Sequence, residues 1–159
     1  MLRRQPEVAV ADLVTALDQA RRQPSSAAFQ ARDATIAGRT MRCVAAGEQT
    51  RLTYHVTLPD RAWFHAMVGV APETWTSPQS DVQFMVGVSD GRRYRQLGEV
   101  TLDPFGRLPD RQWRQLVVNL REYAGLTVDI VLNTRAGTSF ESDARTDIAL
   151  WGNPAVIAD

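Results

Sequence analysis

The sequence predicts an all-β protein, an antiparallel β-sandwich of jelly-roll type preceded by an N-terminal amphipathic helix. Apolar runs of strand length recur from residue 40 onward, several alternating between apolar and polar side chains. Clusters rich in Gly, Pro, Asp and Ser separate them, as in PDR, SDGRR, DPFGRLPD and EYAG. The connections vary in length and no segment repeats at a fixed period, which argues against propellers and solenoids.

The N-terminal stretch PEVAVADLVTALDQARRQP sets Val10, Leu13, Val14 and Leu17 at helical spacing. Pro6 and Asp12 stand early and Arg21 and Arg22 late, where their charges suit a helix dipole. A helix is therefore expected over residues 6–22, ended by Pro24, Ser25 and Ser26. The chain would divide into a helix with its linker, residues 1–28, and a sandwich domain, residues 29–159.

A first strand is expected around Thr40 to Val44. RLTYHVTLP then points Leu52, Tyr54, Val56 and Leu58 one way and Thr53, His55 and Thr57 the other, until Pro59 stops it. AWFHAMVGV, DVQFMVGV, RQLGEVTL, WRQLVVNL, LTVDIVL and TDIALWG bring the total to about eight strands. Two face-to-face sheets would bury Val82, Phe84, Val86 and Val88 against Leu126, Val128, Ile130 and Leu132, leaving Gln83, Thr127 and Asp129 outside.

Eighteen basic residues balance eighteen acidic ones, which argues against a surface built to hold nucleic acid. Every basic residue is Arg, so all of these cations are planar, bidentate donors. The lone Cys43 excludes an internal disulfide and a cysteine-based metal cage. No apolar run reaches the roughly 20 residues of a membrane-spanning helix, and MLRRQPEVAV has no apolar signal core.

The succession GVAPETW, SDVQFMVGVSDG, LDPFG, RQWRQLVVNLREYAGLTVDIVLNT and DIALWGNPAV resembles the galactose-binding-like jelly-roll domains related to bacterial carbohydrate-binding modules of the NPCBM type. The likeness covers residues 39–157, and its most specific part joins the Trp-led strand, the EYAG turn, the next strand and the closing D-x-A-x-W-G-N-P. The chain carries Asn119 where such domains usually have Asp, and Asp81-Val82 where DG is usual. The resemblance implies a noncatalytic sandwich, often appended to extracellular glycoside hydrolases or to outward-facing parts of bacterial membrane proteins. It thereby implies an extracytoplasmic or cell-surface place, within a larger protein or after removal of a targeting segment.

Among the tryptophans, Trp113 and Trp151 read as packing residues, because large aromatics are highly buried on average. Trp63, His65 and Met67 share the strand face opposite Phe64, Val68 and Val70. Trp75 differs: APETWTSPQSD is a Pro-containing loop, where an exposed ring could stack on the apolar face of a sugar. Asp81, Asp90, Arg92, Arg93 and Tyr94 would hydrogen-bond the hydroxyls if the loops at one end converge, whereas the plainer alternative is a ring that caps the sandwich. Glu141, Asp143 and Asp147 form an acidic cluster whose oxygens suit a structural calcium, against the simpler reading of a solvated loop.

The two histidines, His55 and His65, fall on consecutive expected strands without a third ligand at metal spacing, and no nucleophile elbow or phosphate-binding loop occurs. The sequence therefore points to a noncatalytic, carbohydrate-binding-like accessory module that recognises glycan through loop residues. The alternative is a structural or protein-interaction module of a larger bacterial envelope or membrane-associated protein, docking on a partner or neighbouring domain through the apolar stripe of the N-terminal helix.

Overall fold

The computed structural model describes residues 8–23, 29–47, 50–76, 81–136 and 149–158, which form two antiparallel sheets packed face to face. The strands are β1 (Val8–Asp12), β2 (Arg21–Gln23), β3 (Gln30–Ile36), β4 (Arg39–Ala46), β5 (Thr50–Thr57), β6 (Ala62–Val70), β7 (Val82–Ser89), β8 (Tyr94–Leu102), β9 (Arg114–Asn119), β10 (Thr127–Ala136) and β11 (Ala149–Ala158). One sheet has the order β3-β4-β11-β6-β9, with β1 added beside β11; the other has the order β2-β5-β10-β7-β8.

The helix expected over residues 6–22 is not there. Val8–Asp12 is a strand paired with the last residues of β11, Thr15–Gln19 is a single 3-10 turn, and Arg21–Gln23 pairs with β5. Spacing of i, i+3, i+4 suits a tight turn as well as a helix. Here tertiary pairing decides: β4 pairs with β11 only over Ala149–Gly152, leaving the upper backbone of β11 to be matched by β1. Asp12 stops the strand by accepting the Val14 and Thr15 backbone N–H groups through Oδ1, at 3.0 and 3.4 Å. Leu13, Val14 and Leu17, the supposed docking stripe, lie in the protein's own core.

The remaining strands follow the alternation read from the sequence, with the inward residues Val82, Phe84, Val86, Val88, Val128, Ile130 and Leu132 all buried. Leu126 is the exception: it precedes β10 and stays exposed. Trp151 fills the centre, edge-on to Phe84 of the facing sheet at 5.3 Å and to Phe64 at 6.5 Å between ring centroids. The last strand also runs further than expected. Asn153 takes a left-handed conformation (φ 45°) in a bulge that accommodates Pro154, and pairing with β6 resumes at Ala155.

Trp113 is a packing residue as expected, but on the outer face of the six-stranded sheet. It groups with Ile36, Met41, Cys43 and Leu150, and its Nε1–H donates to Arg39 O at 2.9 Å. Gly69 and Gly152 make room for the ring, since a Cβ at either would press on it at 3.0–3.1 Å. A second, smaller core thus covers the back of that sheet, whereas among the described residues no such cluster covers the back of the five-stranded sheet.

Candidate functional site

The loop residues singled out in the sequence do not converge. Trp75 and Asp81 lie at the lower end of the sandwich, between β6 and β7. Asp90, Arg92 and Arg93 lie at the upper end, between β7 and β8, where Tyr94 opens β8, and the eight residues of β7 separate the groups by roughly 26 Å at ~3.3 Å per residue. Trp75 is half-buried against both core clusters, its Nε1–H donates to Val70 O at 2.8 Å, and the Arg111 guanidinium sits 5.8 Å from its ring centroid. Asp81 is buried where β7 begins. Glu141, Asp143 and Asp147 lie outside the described residues, and the described residues contain no cluster of metal-ligating side chains.

A groove of about 680 Å³ runs across the outer face of the five-stranded sheet. Its geometry follows from register. Met85, Asn133, Arg51 and Gln23 lie side by side on β7, β10, β5 and β2, all on the outward parity. Tyr94 starts opposite Ser89 and lies across the neighbouring strand over Gly87, where any Cβ would collide with its phenol. The tip of Tyr94 therefore reaches β10, where its oxygen accepts a hydrogen bond from Asn133 Nδ2 at 3.3 Å. Asn133 Oδ1 in turn accepts one from Arg51 Nε at 3.0 Å. The ring remains 44% exposed.

This arrangement makes a shallow trough floored by backbone, with a semi-exposed aromatic surface fixed at one side and amide, hydroxyl and guanidinium groups around it. The Glu99 carboxylate beside it is engaged by Gln83 and Gln96, at 3.1 and 3.0 Å, which holds the Gln96 amide in place. Rings and planar donors on a rigid sheet keep their geometry without paying side-chain entropy on binding.

Asp90, Arg92 and Arg93 line a separate upper cleft of about 390 Å³ with Arg95, Glu122, Tyr123 and Leu126. There both carboxylates are committed, one to a guanidinium and one to the backbone. Arg95 is ion-paired with Glu122, and Asp90 Oδ1 accepts the N–H groups of Arg92 and Arg93 at 2.9 and 3.0 Å. Those two donors hold the Asp90 carboxyl below the usual carboxylate range. Asp90, with Gly91 at φ 95°, therefore shapes the turn that delivers Tyr94 to β8. The histidines are kept apart: His55 is on the outer face of the five-stranded sheet, bonded to Asp129 at 2.9 Å, and His65 is on β6 of the other sheet.

Of the six loop candidates, only Tyr94 belongs to the groove. Gln23, Arg51, Met85, Gln96, Asn133 and Arg135 were not legible as site residues, because each is simply an outward polar or flexible residue on an alternating strand. The one available signal was Gly87, a glycine inside the strand pattern QFMVGVS, which often marks close approach of another group.

No protein-family model matches the chain. An uncharacterized protein of Archaeoglobus fulgidus is 28% identical over 102 residues, covering 64% of this chain, so the chain spans only 25% of that relative's length. Among solved structures, CBM51 from Clostridium perfringens GH95, in complex with methyl-galactose, is similar with a TM-score of 0.61 and 16% identity over 93% of this chain and 99% of the module. The CBM51-2 and INT structure from Clostridium perfringens ZmpB, with GlcNAc, gives 0.57 and 16% over 99% of this chain and 30% of that one. TmCBM61 in complex with beta-1,4-galactotriose gives 0.54 and 12% over 93% and 94%. The chain thus has the galactose-binding-like jelly-roll fold of carbohydrate-binding modules.

Proposed function

We propose that this chain is a noncatalytic carbohydrate-binding module that holds glycan against the outer face of its five-stranded sheet. The observation that carries the proposal is Tyr94, laid across Gly87 and tethered through Asn133 to Arg51 within the groove on the five-stranded sheet. An immobilised, semi-exposed ring offers a platform for the apolar C–H face of a sugar, and the surrounding amides and guanidinium groups match its hydroxyls. The fold shared with carbohydrate-binding modules supports the same reading. We place the module outside the cytoplasm as one part of a longer polypeptide, in line with the fraction of the Archaeoglobus protein that it matches. The alternative of docking through an N-terminal amphipathic helix loses its motive, because residues 8–22 form no such helix and Leu13, Val14 and Leu17 are consumed in the core.

A glycan-array screen of the chain beside its Tyr94→Ala variant tests the proposal. Binding that disappears in a folded variant is the expected result. Binding unchanged by the substitution, with the variant's unfolding transition intact, would move the function away from this groove.

A further inference from the structure

Resting on that reading, we infer that the groove selects an acidic glycan, whose carboxylate or sulfate ester is taken by Arg51 and Arg135. The charge of the groove is out of balance with that of the chain. The whole chain is neutral, with eighteen basic and eighteen acidic residues, yet the groove is lined by two arginines and no carboxylate among the described residues. Other acidic groups on this sheet face are engaged: Glu99 by Gln83 and Gln96, and Asp129 by His55.

The two guanidinium groups are unequal in what they offer. Arg51 uses Nε to hold Asn133, which orients the side chain across the sheet and leaves its terminal amino groups without an acceptor among the described residues. Arg135 stands two residues further along β10 on the same outward parity and has no hydrogen-bond or ion-pair acceptor among the described residues. Arg42, Arg95, Arg107 and Arg114 are paired with carboxylates, while Arg39, Arg61, Arg92 and Arg93, like the two groove arginines, form no ion pair with a carboxylate among the described residues; what sets Arg51 and Arg135 apart is that they share one groove with the Tyr94 ring. Two unneutralised, bidentate donors beside an aromatic platform suit a sugar carrying one planar or trigonal anion per residue better than a neutral one. Tyr94 would carry the ring of the sugar while Arg135 and the terminal nitrogens of Arg51 carry its charge.

Retention in affinity electrophoresis on polygalacturonate, iota-carrageenan and neutral beta-1,4-galactan separates the outcomes. The wild type, Arg135→Gln, Arg51→Gln, Tyr94→Ala and the control Arg42→Gln, on β4 of the other sheet, would be run at low and high salt. The inference expects preference for one or both acidic polymers, weakened roughly tenfold by Arg135→Gln, weakened by salt and unaffected by Arg42→Gln. The carboxylate and sulfate sources are told apart by which acidic polymer is retained. Retention on galactan that depends on Tyr94 but not on Arg135 would overturn the charge selectivity while leaving glycan binding in place. Acidic retention reduced equally by Arg42→Gln would reveal diffuse attraction and overturn it too. Retention indifferent to Tyr94→Ala would sink both the selectivity and the groove itself.

Discussion

Replacing Gly87 by Ala isolates the platform from the rest of the fold. Gly87 is in the ordinary extended region, so its backbone tolerates a side chain, and nothing in the core is touched by an outward methyl. What the methyl does meet is Tyr94, whose Oη, Cζ and Cε2 occupy the position of the new Cβ. The ring must lift, breaking its hydrogen bond to Asn133. Stability should change by less than ~1 kcal/mol, because an exposed hydrogen bond of ~0.5–1.5 kcal/mol is offset by the ~0.5–1 kcal/mol that Ala gains over Gly inside a strand. Binding should respond more strongly. Covering one ring face, about a third of the ~150–250 Å² an aromatic side chain can bury, removes ~50–80 Å² from water. At ~25 cal/mol per Å² this amounts to ~1.3–2 kcal/mol, or about 8- to 30-fold in Kd. Isothermal titration against the best array ligand, beside thermal unfolding, reads both quantities. A Gly87→Ala protein that binds as tightly as wild type would refute the role of the flat ring.

Tyr54 donates to Leu13 O at 2.7 Å in the core and fastens the N-terminal segment to β5; Tyr54→Phe leaves that carbonyl unpaired and should cost ~1–3 kcal/mol in chemical denaturation. Burial pushes the Tyr54 phenol above its ordinary value of 10.0. Its contribution is complete below that value and lost as pH rises through the folded pKa, so alkaline destabilisation should be weaker in Tyr54→Phe, and equal alkaline sensitivity of the two proteins would contradict this. Trp75→Ala should lower stability by about 2 kcal/mol, roughly half the cost for a fully buried Trp, and leave groove binding intact; loss of retention without loss of stability would return the site to the lower loop. Asp90 should titrate below an ordinary carboxylate by NMR, with its stabilising effect on the turn complete above the unfolded pKa of about 4 and lost as pH falls through the depressed value; an unshifted midpoint would contradict the turn geometry.

By itself the sequence determined the sandwich from β4 onward, because alternation is a local property: each outward Thr, Gln or Asn between inward Val, Ile or Leu reports the same two-residue period that the sheet requires. It determined equally that Trp113 and Trp151 are packing residues, from the cost of exposing large rings. It misread residues 6–22, where Leu13, Val14 and Leu17 satisfy a tight turn and a helix alike, and only the unpaired upper edge of β11 selects between them. The site belongs to the tertiary structure. Gln23, Arg51, Asn133 and Tyr94 are brought onto one surface by strand order β2-β5-β10-β7-β8, whose widest pairing sets Thr50 beside Thr134, 84 residues on, and no local pattern encodes it. The same order sends Trp75 and Asp90 to opposite ends, since one strand long enough to cross the sheet must separate the loops at its two termini.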